Sequence, residues 1–353
     1  MAKVLMKGNH AIAEAAIRAG CRFFAGYPIT PQSEIVEYMS WRMPEVGGSF
    51  TQTESELAGI SMVYGATSCG LRAMTSSSGP GFDLLQEGLG YMCSAELPAV
   101  IVDVMRYGNG LGLISPGQSD YLQATKGGAH GDYQCIVLAP YSIQDAINLM
   151  PLAYELAEKH RNPLLFLVDG ATGQMVEAVD FPKMQTIDQN SRPWALTGDG
   201  KGAGCKQHNS KCYYDYKGKA YDDHIRERFG AMEQEERWEE FQTKDADYVL
   251  VAYGVISRVC KEAVLRARAE GVKLGLVRPI TLWPYPKQAF AGLSPKAFIN
   301  VEMTALPQMA QDVFMAARGK APVYSLNTGQ FIPEYAQIRQ FVEDVKTNKI
   351  KEV

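Results

Sequence analysis

The chain has 353 residues, 46% of them hydrophobic and 21% charged, with 35 basic against 39 acidic side chains for a net charge of −4. Length and composition fit two globular domains of roughly 150 residues each, with chain enough for a large core. The slightly acidic balance argues against a nucleic-acid binder, and no apolar run reaches the roughly 18 residues of a membrane span. Residues 1–8 hold two lysines and no apolar stretch of signal-peptide length, so a cytoplasmic location is expected. Seven cysteines, odd in number and without a C-x-x-C, suit neither a disulfide framework nor an iron–sulfur cluster in this chain. Cys205, His208 and Cys212 lie near one another, but with no evident fourth ligand they read as a surface loop. No metal site is expected.

In chain order, residues 11–20 read as an alanine-rich helix and 21–29 as a strand. Residues 31–43 read as a helix with Thr30 as N-cap, Pro31 at the first helical position and Glu34 in the first turn. A strand over 49–53 leads into a helix over 55–67. Residues 72–75 lead into a loop, Ser76-Ser77-Ser78-Gly79-Pro80-Gly81, and a helix over 82–94 follows. Residues 98–105 are nearly all Val, Ile and Ala with one Asp, the composition of a strand buried on both faces. A long helix over 143–160 and a strand over 164–168 complete the block. This alternation predicts an α/β fold with a parallel sheet covered by helices, over residues 1–180. Residues 181–243 read as a connector whose acidic stretch over 222–243 is a solvated helix. Residues 244–353 read as a smaller α/β domain, with 278–284 (Arg-Pro-Ile-Thr-Leu-Trp-Pro) as a proline-bracketed loop.

Ligands of parallel sheets bind beyond the carboxyl ends of the strands. That rule selects Gly26-Tyr27-Pro28-Ile29-Thr30-Pro31, the turn at Glu54-Ser55-Glu56, the Ser76–Gly81 loop, and Arg106 onward. The serine/glycine loop can bind phosphate through its amides, but it has no Walker lysine and no G-x-S-x-G. Gly108-x-Gly110-x-Gly112 is only half a dinucleotide fingerprint. Glu54 and Glu56 both suit the positive end of a helix. Glu56 also enters an apolar, small-residue segment over 56–66, where desolvation favours a carboxyl that can donate a proton at neutral pH.

A Glu followed nine residues later by Gly-Ala, on a small-residue helix after a strand, resembles the pyrimidine-binding domain of thiamine diphosphate enzymes. With the Tyr27–Pro31 motif, the serine/glycine loop and the 278–284 block, the chain resembles the α-type subunit of 2-oxoacid:ferredoxin oxidoreductases, nearest the branched-chain 2-oxoisovalerate (ketoisovalerate) type. The resemblance covers nearly the whole chain, a pyrimidine domain followed by a transketolase-C-terminal-like domain. It implies oxidative decarboxylation of a 2-oxoacid with coenzyme A to acyl-CoA, CO₂ and reduced ferredoxin. It implies that Glu56 contacts the aminopyrimidine of the cofactor and that Thr30 and Arg106 are catalytic positions near cofactor and substrate. Pro28, Ser77, Ser78 and Gly79 complete the cofactor-binding set, and Tyr27 and His130 belong to a substrate loop. Thr30 also suits a plain N-cap, and Arg106 a surface ion pair.

The resemblance also implies partners. Thr197-Gly198-Asp199-Gly200 has no convincing Asn ligand after it, so the diphosphate–Mg²⁺ site and a cluster are expected on a β-type subunit. A γ-type subunit and a ferredoxin-like subunit or ferredoxin complete the heteromultimer, with coenzyme A and the 2-oxoacid as substrates. A pyruvate, 2-oxoglutarate or lipoamide-linked enzyme of the same cofactor class, and a non-catalytic scaffold, are the alternatives.

Overall fold

The computed structural model describes residues 3–188, 191–196 and 218–353. Cys205, His208, Cys212 and the Thr197-Gly198-Asp199-Gly200 run lie outside the described residues. The first block begins with β1 (Val4–Lys7), α1 (Gly8–Arg18), β2 (Phe23–Gly26), α2 (Ser33–Glu45), β3 (Ser49–Gln52), α3 (Glu56–Ser68) and β4 (Ala73–Ser77). It continues with α4 (Pro80–Ala95), β5 (Val100–Tyr107), β6 (Leu113–Pro116), α5 (Tyr121–Lys126), β7 (Ile136–Leu138), α6 (Ile143–His160), β8 (Leu164–Asp169), α7 (Gly170–Gln174) and β9 (Val176–Val179). The central sheet has the order β7-β8-β5-β4-β2-β3, all parallel, with β6 folded back antiparallel on β5. This is the expected α/β arrangement.

The apolar run of β5 explains why that strand is central. Val100, Val102 and Val104 pack with α1, α2 and α6 on one face, and Ile101 and Met105 pack under α4 on the other. Every residue from Val100 to Arg106 is buried, as a strand covered on both faces requires. Asp103 sits in this run with no exposure at all.

The second block holds α8 (Lys219–Met232), β10 (Trp238–Phe241), β11 (Tyr248–Val251), α9 (Gly254–Ala269), β12 (Leu274–Pro279), β13 (Thr281–Trp283), β14 (Ala297–Glu302), α10 (Ala310–Ala317), β15 (Val323–Asn327) and α11 (Tyr335–Lys346). Its sheet runs β10-β12-β11-β14-β15, antiparallel only at β10. Two readings are corrected here. The acidic stretch is not one solvated helix: α8 stops at Met232, and residues 238–241 form an edge strand on β12. Glu235 is buried between them, held by Lys159 at 2.5 Å and Arg237 at 2.9 Å. The 278–284 block is not a loop either. Thr281 and Trp283 pair with β7, so the chain crosses from the second sheet to the edge of the first. Arg278 stays buried there, paired with Asp145 and stacked on the Tyr141 ring.

One apolar cluster runs from Phe82 and Leu89 of α4 through Met105 and Tyr121 to Tyr253 and Phe298, so the two sheets share a core. Asp169, at the end of β8, accepts from the Val255 amide at 2.6 Å and from Gln118 Nε2 at 2.8 Å, which fixes the start of α9 against the first block. No helix among the described residues is long and apolar enough to cross a membrane.

Candidate active site

The carboxyl ends of β2, β3, β4 and β5 converge on one buried polar cluster. Ser55 caps α3, its hydroxyl accepting from the Ala58 amide at 3.4 Å, and the helix therefore begins at Glu56. Glu54 stays exposed while Glu56 is 4% exposed, which separates the roles of two carboxylates only two residues apart. Glu56 Oε1 accepts from Ser77 Oγ at 3.0 Å. Ser76 and Ser77 belong to β4 rather than to a loop, and they point to opposite faces. Ser77 reaches Glu56, and Ser76 Oγ donates to Gln32 Oε1 at 2.7 Å.

Two glycines make the cluster possible. A Cβ at Gly81 would stand 2.1 Å from both Glu56 Oε1 and Ser77 Oγ, far inside contact distance. Gly79 has φ +50°, and a Cβ there would stand 2.8 Å from Arg106 Nε. Only glycine fits both the backbone and the space.

Thr30 does not cap α2. The helix begins at Ser33 with Gln32 at the cap position, because the Gln32 amide closes a turn onto the Ile29 carbonyl at 2.9 Å. The 27–31 loop is held by its carbonyls. Gln32 Nε2 donates to Tyr27 O at 2.8 Å, Arg106 Nη1 to Thr30 O at 3.0 Å, and Asn9 Nδ2 to Pro31 O at 2.6 Å. With its backbone tied from below, the loop leaves the Tyr27 and Thr30 side chains exposed and Pro28 half-buried.

Arg106 is 6% exposed and is not a surface ion pair. Its Nη1 and Nη2 donate to the carbonyls of Thr30 and Leu111, and Nε has no partner. A two-pronged grip on a carboxylate is therefore not preformed, although each terminal nitrogen keeps a second N–H. Ser78 Oγ and Thr75 Oγ1 are likewise buried without a partner. Unpaired buried donors are rare and call for a ligand. His130 stands apart: it is exposed and lines a groove of about 780 Å³ along α4, with Tyr91, Tyr133 and Arg228.

Sequence reasoning missed Gln32, Gly81 and a carboxyl pair. Asp103 and Asp120 are both buried, and both Asp103 carboxyl oxygens and one of Asp120 have no donor partner, so the two carboxyls titrate as neighbours. Burial, and then the Asp120 charge, hold the Asp103 carboxyl well above the usual carboxylate range. Burial pushes Asp120 up to about 7, with the nearby Asp83 adding to the rise. The signal was the lone Asp in an otherwise apolar strand. A carboxyl whose folded pKa is raised stabilises the fold fully below its unfolded pKa of about 4 and loses that contribution as pH rises through about 7. In the Asp103→Asn variant the side-chain amide can donate to Asp120 without a titrating proton. The thermal midpoint of that variant is thus expected to fall less than that of the unsubstituted chain between pH 5 and pH 8. Equal falls would show that the pair shares no proton.

Residues 14–241 match the family described as pyruvate flavodoxin/ferredoxin oxidoreductase, thiamine diphosphate-binding, and residues 246–332 match pyruvate:ferredoxin oxidoreductase core domain II. The ketoisovalerate oxidoreductase subunit VorB of Methanothermobacter marburgensis is 47% identical over 321 residues, covering 90% of each chain. The 2-oxoglutarate synthase subunit KorA of Methanocaldococcus jannaschii is 35% identical, covering 84% of this chain and 87% of the relative. Among solved structures, the 2-oxoglutarate:ferredoxin oxidoreductase of Magnetococcus marinus, with 2-oxoglutarate, coenzyme A and succinyl-CoA bound, superposes with a TM-score of 0.86 at 26% identity. The match covers 97% of this chain and 65% of that one, so the chain spans less than two thirds of that structure's length.

Proposed function

The chain belongs to the pyruvate flavodoxin/ferredoxin oxidoreductase family, and from that membership we propose that it is a catalytic subunit of a multisubunit 2-oxoacid:ferredoxin oxidoreductase. The reaction converts a branched-chain 2-oxoacid and coenzyme A to acyl-CoA and CO₂, with the electrons passed to ferredoxin. The observation that carries this reading is the buried Glu56–Ser77 pair, seated under Gly81 within the residues that match the thiamine-binding family. The relatives are named as subunits. The remaining half of the site, with the diphosphate, Mg²⁺ and iron–sulfur clusters, is assigned to partner subunits.

The residues present suit thiamine diphosphate. Glu56 offers a desolvated carboxyl, Gly79 and Gly81 leave room where a Cβ would block approach, and Ser78 Oγ and Arg106 Nε are unpartnered donors beside them. When bound, the cofactor supplies the electron sink that makes decarboxylation of a 2-oxoacid feasible. The chain's part is to place protons and charges. Glu56 holds a proton at the aminopyrimidine ring, and Ser77 fixes the carboxyl's orientation. Thr30, on a loop anchored by its carbonyls, would contact the cofactor and the substrate, and Arg106 would hold the substrate carboxylate with its remaining N–H groups. The loop bearing Tyr27 and Pro28 walls the site.

The 2-oxoisovalerate preference rests on the relatives named ketoisovalerate oxidoreductase at 46–47% identity, against 35–36% for those named 2-oxoglutarate synthase. Arg106 is the cation assigned to the carboxylate at C1. A second, distal carboxylate would be left unpaired in a dry pocket, at a cost of several kcal/mol. One methylene is worth only about 1–3 kcal/mol, so neighbouring branched acids react as well. The test is kcat/KM of the assembled complex for 2-oxoisovalerate, 2-oxo-4-methylpentanoate, pyruvate and 2-oxoglutarate, read as coenzyme-A-dependent viologen reduction. 2-Oxoisovalerate is expected to lead. A lead of about tenfold or more by pyruvate or 2-oxoglutarate, about 1.4 kcal/mol, would overturn the substrate assignment and leave the reaction class standing.

A further inference from the structure

Cysteines that suit neither a cluster nor a zinc site include one pair that the fold brings together. Cys93 lies near the end of α4, and Cys135 immediately precedes β7, 42 residues along the chain. Their sulfur atoms are 3.5 Å apart. Cys21, Cys69 and Cys260 are also free thiols, and no such sulfur contact is found for them among the described residues. Cys93 and Cys135 are buried, and Cys93 is among the residues along the groove beside α4 that also holds His130.

Polar groups stand beside the pair. Arg228 of α8 donates to Cys93 O at 2.7 Å and to Asn162 Oδ1 at 2.6 Å, and Asn162 Nδ2 lies 3.7 Å from Cys135 Sγ. Burial, and then the neighbouring Cys93, push the Cys135 thiol up, while the Arg228 charge and the Asn162 contact act in the opposite direction.

We propose that Cys93 and Cys135 form a peroxide-responsive modification site that converts reversibly to a disulfide in the folded chain. The sulfurs need to close from 3.5 Å to about 2.05 Å. Hydrogen peroxide is the oxidant. The Cys93 sulfur attacks one peroxide oxygen: an S–O bond forms, the O–O bond breaks, and the departing hydroxide takes the thiol proton as water. The Cys135 sulfur then attacks the sulfenic sulfur of Cys93. The S–S bond forms, the S–O bond breaks, and the second hydroxide leaves as water with the Cys135 proton. Two thiols lose two electrons and one peroxide gains them. The bond would tie α4, whose first turn holds Gly81 at the cluster, to the start of β7.

The experiment uses the full chain, reduced, desalted and exposed briefly to hydrogen peroxide, then digested with trypsin without reductant. Cys93 is the one cysteine between Arg72 and Arg106, and Cys135 the one between Lys126 and Lys159, so a linked pair of peptides is unambiguous. The expected result is a cross-link of these two peptides, two hydrogens lighter than their sum, in most chains. It is reversed by dithiothreitol and absent from both Cys93→Ser and Cys135→Ser. The same treatment in urea is expected to lower its yield at least fivefold. Recovery of Cys93 and Cys135 as free thiols while Cys69 is oxidised overturns the proposal. So does pairing of either residue with another cysteine, or an equal yield from the unfolded chain.

Discussion

Glu56→Gln is expected to lower turnover of the assembled oxidoreductase by roughly 10²–10⁴-fold, the range of a lost general acid–base group. The amide keeps the shape and can still accept from Ser77 Oγ, which now reaches Glu56 Oε1 at 3.0 Å. It cannot give or take the carboxyl proton. Assembly and thermal midpoint are therefore expected to change little, and kcat carries the loss. Glu54→Gln is the control, because Glu54 is exposed at the same helix start. It is expected to keep near-normal activity. A full loss in Glu54→Gln with normal turnover in Glu56→Gln would move the role to the other carboxylate.

The second large effect is expected from Gly81→Ala. The added methyl would stand 2.1 Å from both Glu56 Oε1 and Ser77 Oγ, so both ends of the hydrogen bond that orients the carboxyl would have to shift. The carboxyl must move by more than about 1 Å, and misplacement on that scale costs on the order of 10²-fold in rate. Measured kcat/KM is expected to fall by about that factor or more. Gly65→Ala is the contrast, since nothing lies within 4 Å of a Cβ there. Alanine in a helix interior is favoured over glycine by roughly 0.5–1 kcal/mol, so Gly65→Ala should raise the thermal midpoint slightly and leave kcat unchanged. Equal activity of the two variants would show that the Gly81 contact does not position Glu56.

The elements that the sequence made legible are those in which local and tertiary demands agree. The apolar run over 98–105 and the amphipathic helix over 143–160 can satisfy their patterns in only one way, and both are observed, as Val100–Tyr107 and Ile143–His160. The elements misread are those whose partners are distant. Residues 238–241 carry charges that suit a helix face, but pairing with β12 makes them a strand. Thr281 and Trp283 sit between prolines that suggest a loop, yet β7 offers them an open edge. Around the cluster, Glu56, Ser77 and Arg106 stood out by type and by place beyond the strand ends. Gly81 did not, because the need for glycine there comes from the side chains of Glu56 and Ser77, which only the fold brings against it. Gln32 was hidden for a similar reason: beside Pro31 it reads as a helix start, and its clamp on Tyr27 and Ser76 exists only once β2 and β4 are neighbours. His130 lies in a glycine-rich loop and lines the groove along α4.

Through Glu56 this chain is proposed to contribute the proton-placing half of a thiamine site. The rate of deuterium exchange at C2 of thiamine diphosphate bound to the assembled complex, followed by quenched-flow NMR without 2-oxoacid, reads that role out. That exchange precedes substrate chemistry and does not depend on which 2-oxoacid is preferred. An exchange rate slowed by roughly 10²-fold or more is expected in Glu56→Gln, with cofactor occupancy retained. Exchange as fast in Glu56→Gln as in the unsubstituted complex, at equal occupancy, would contradict that role.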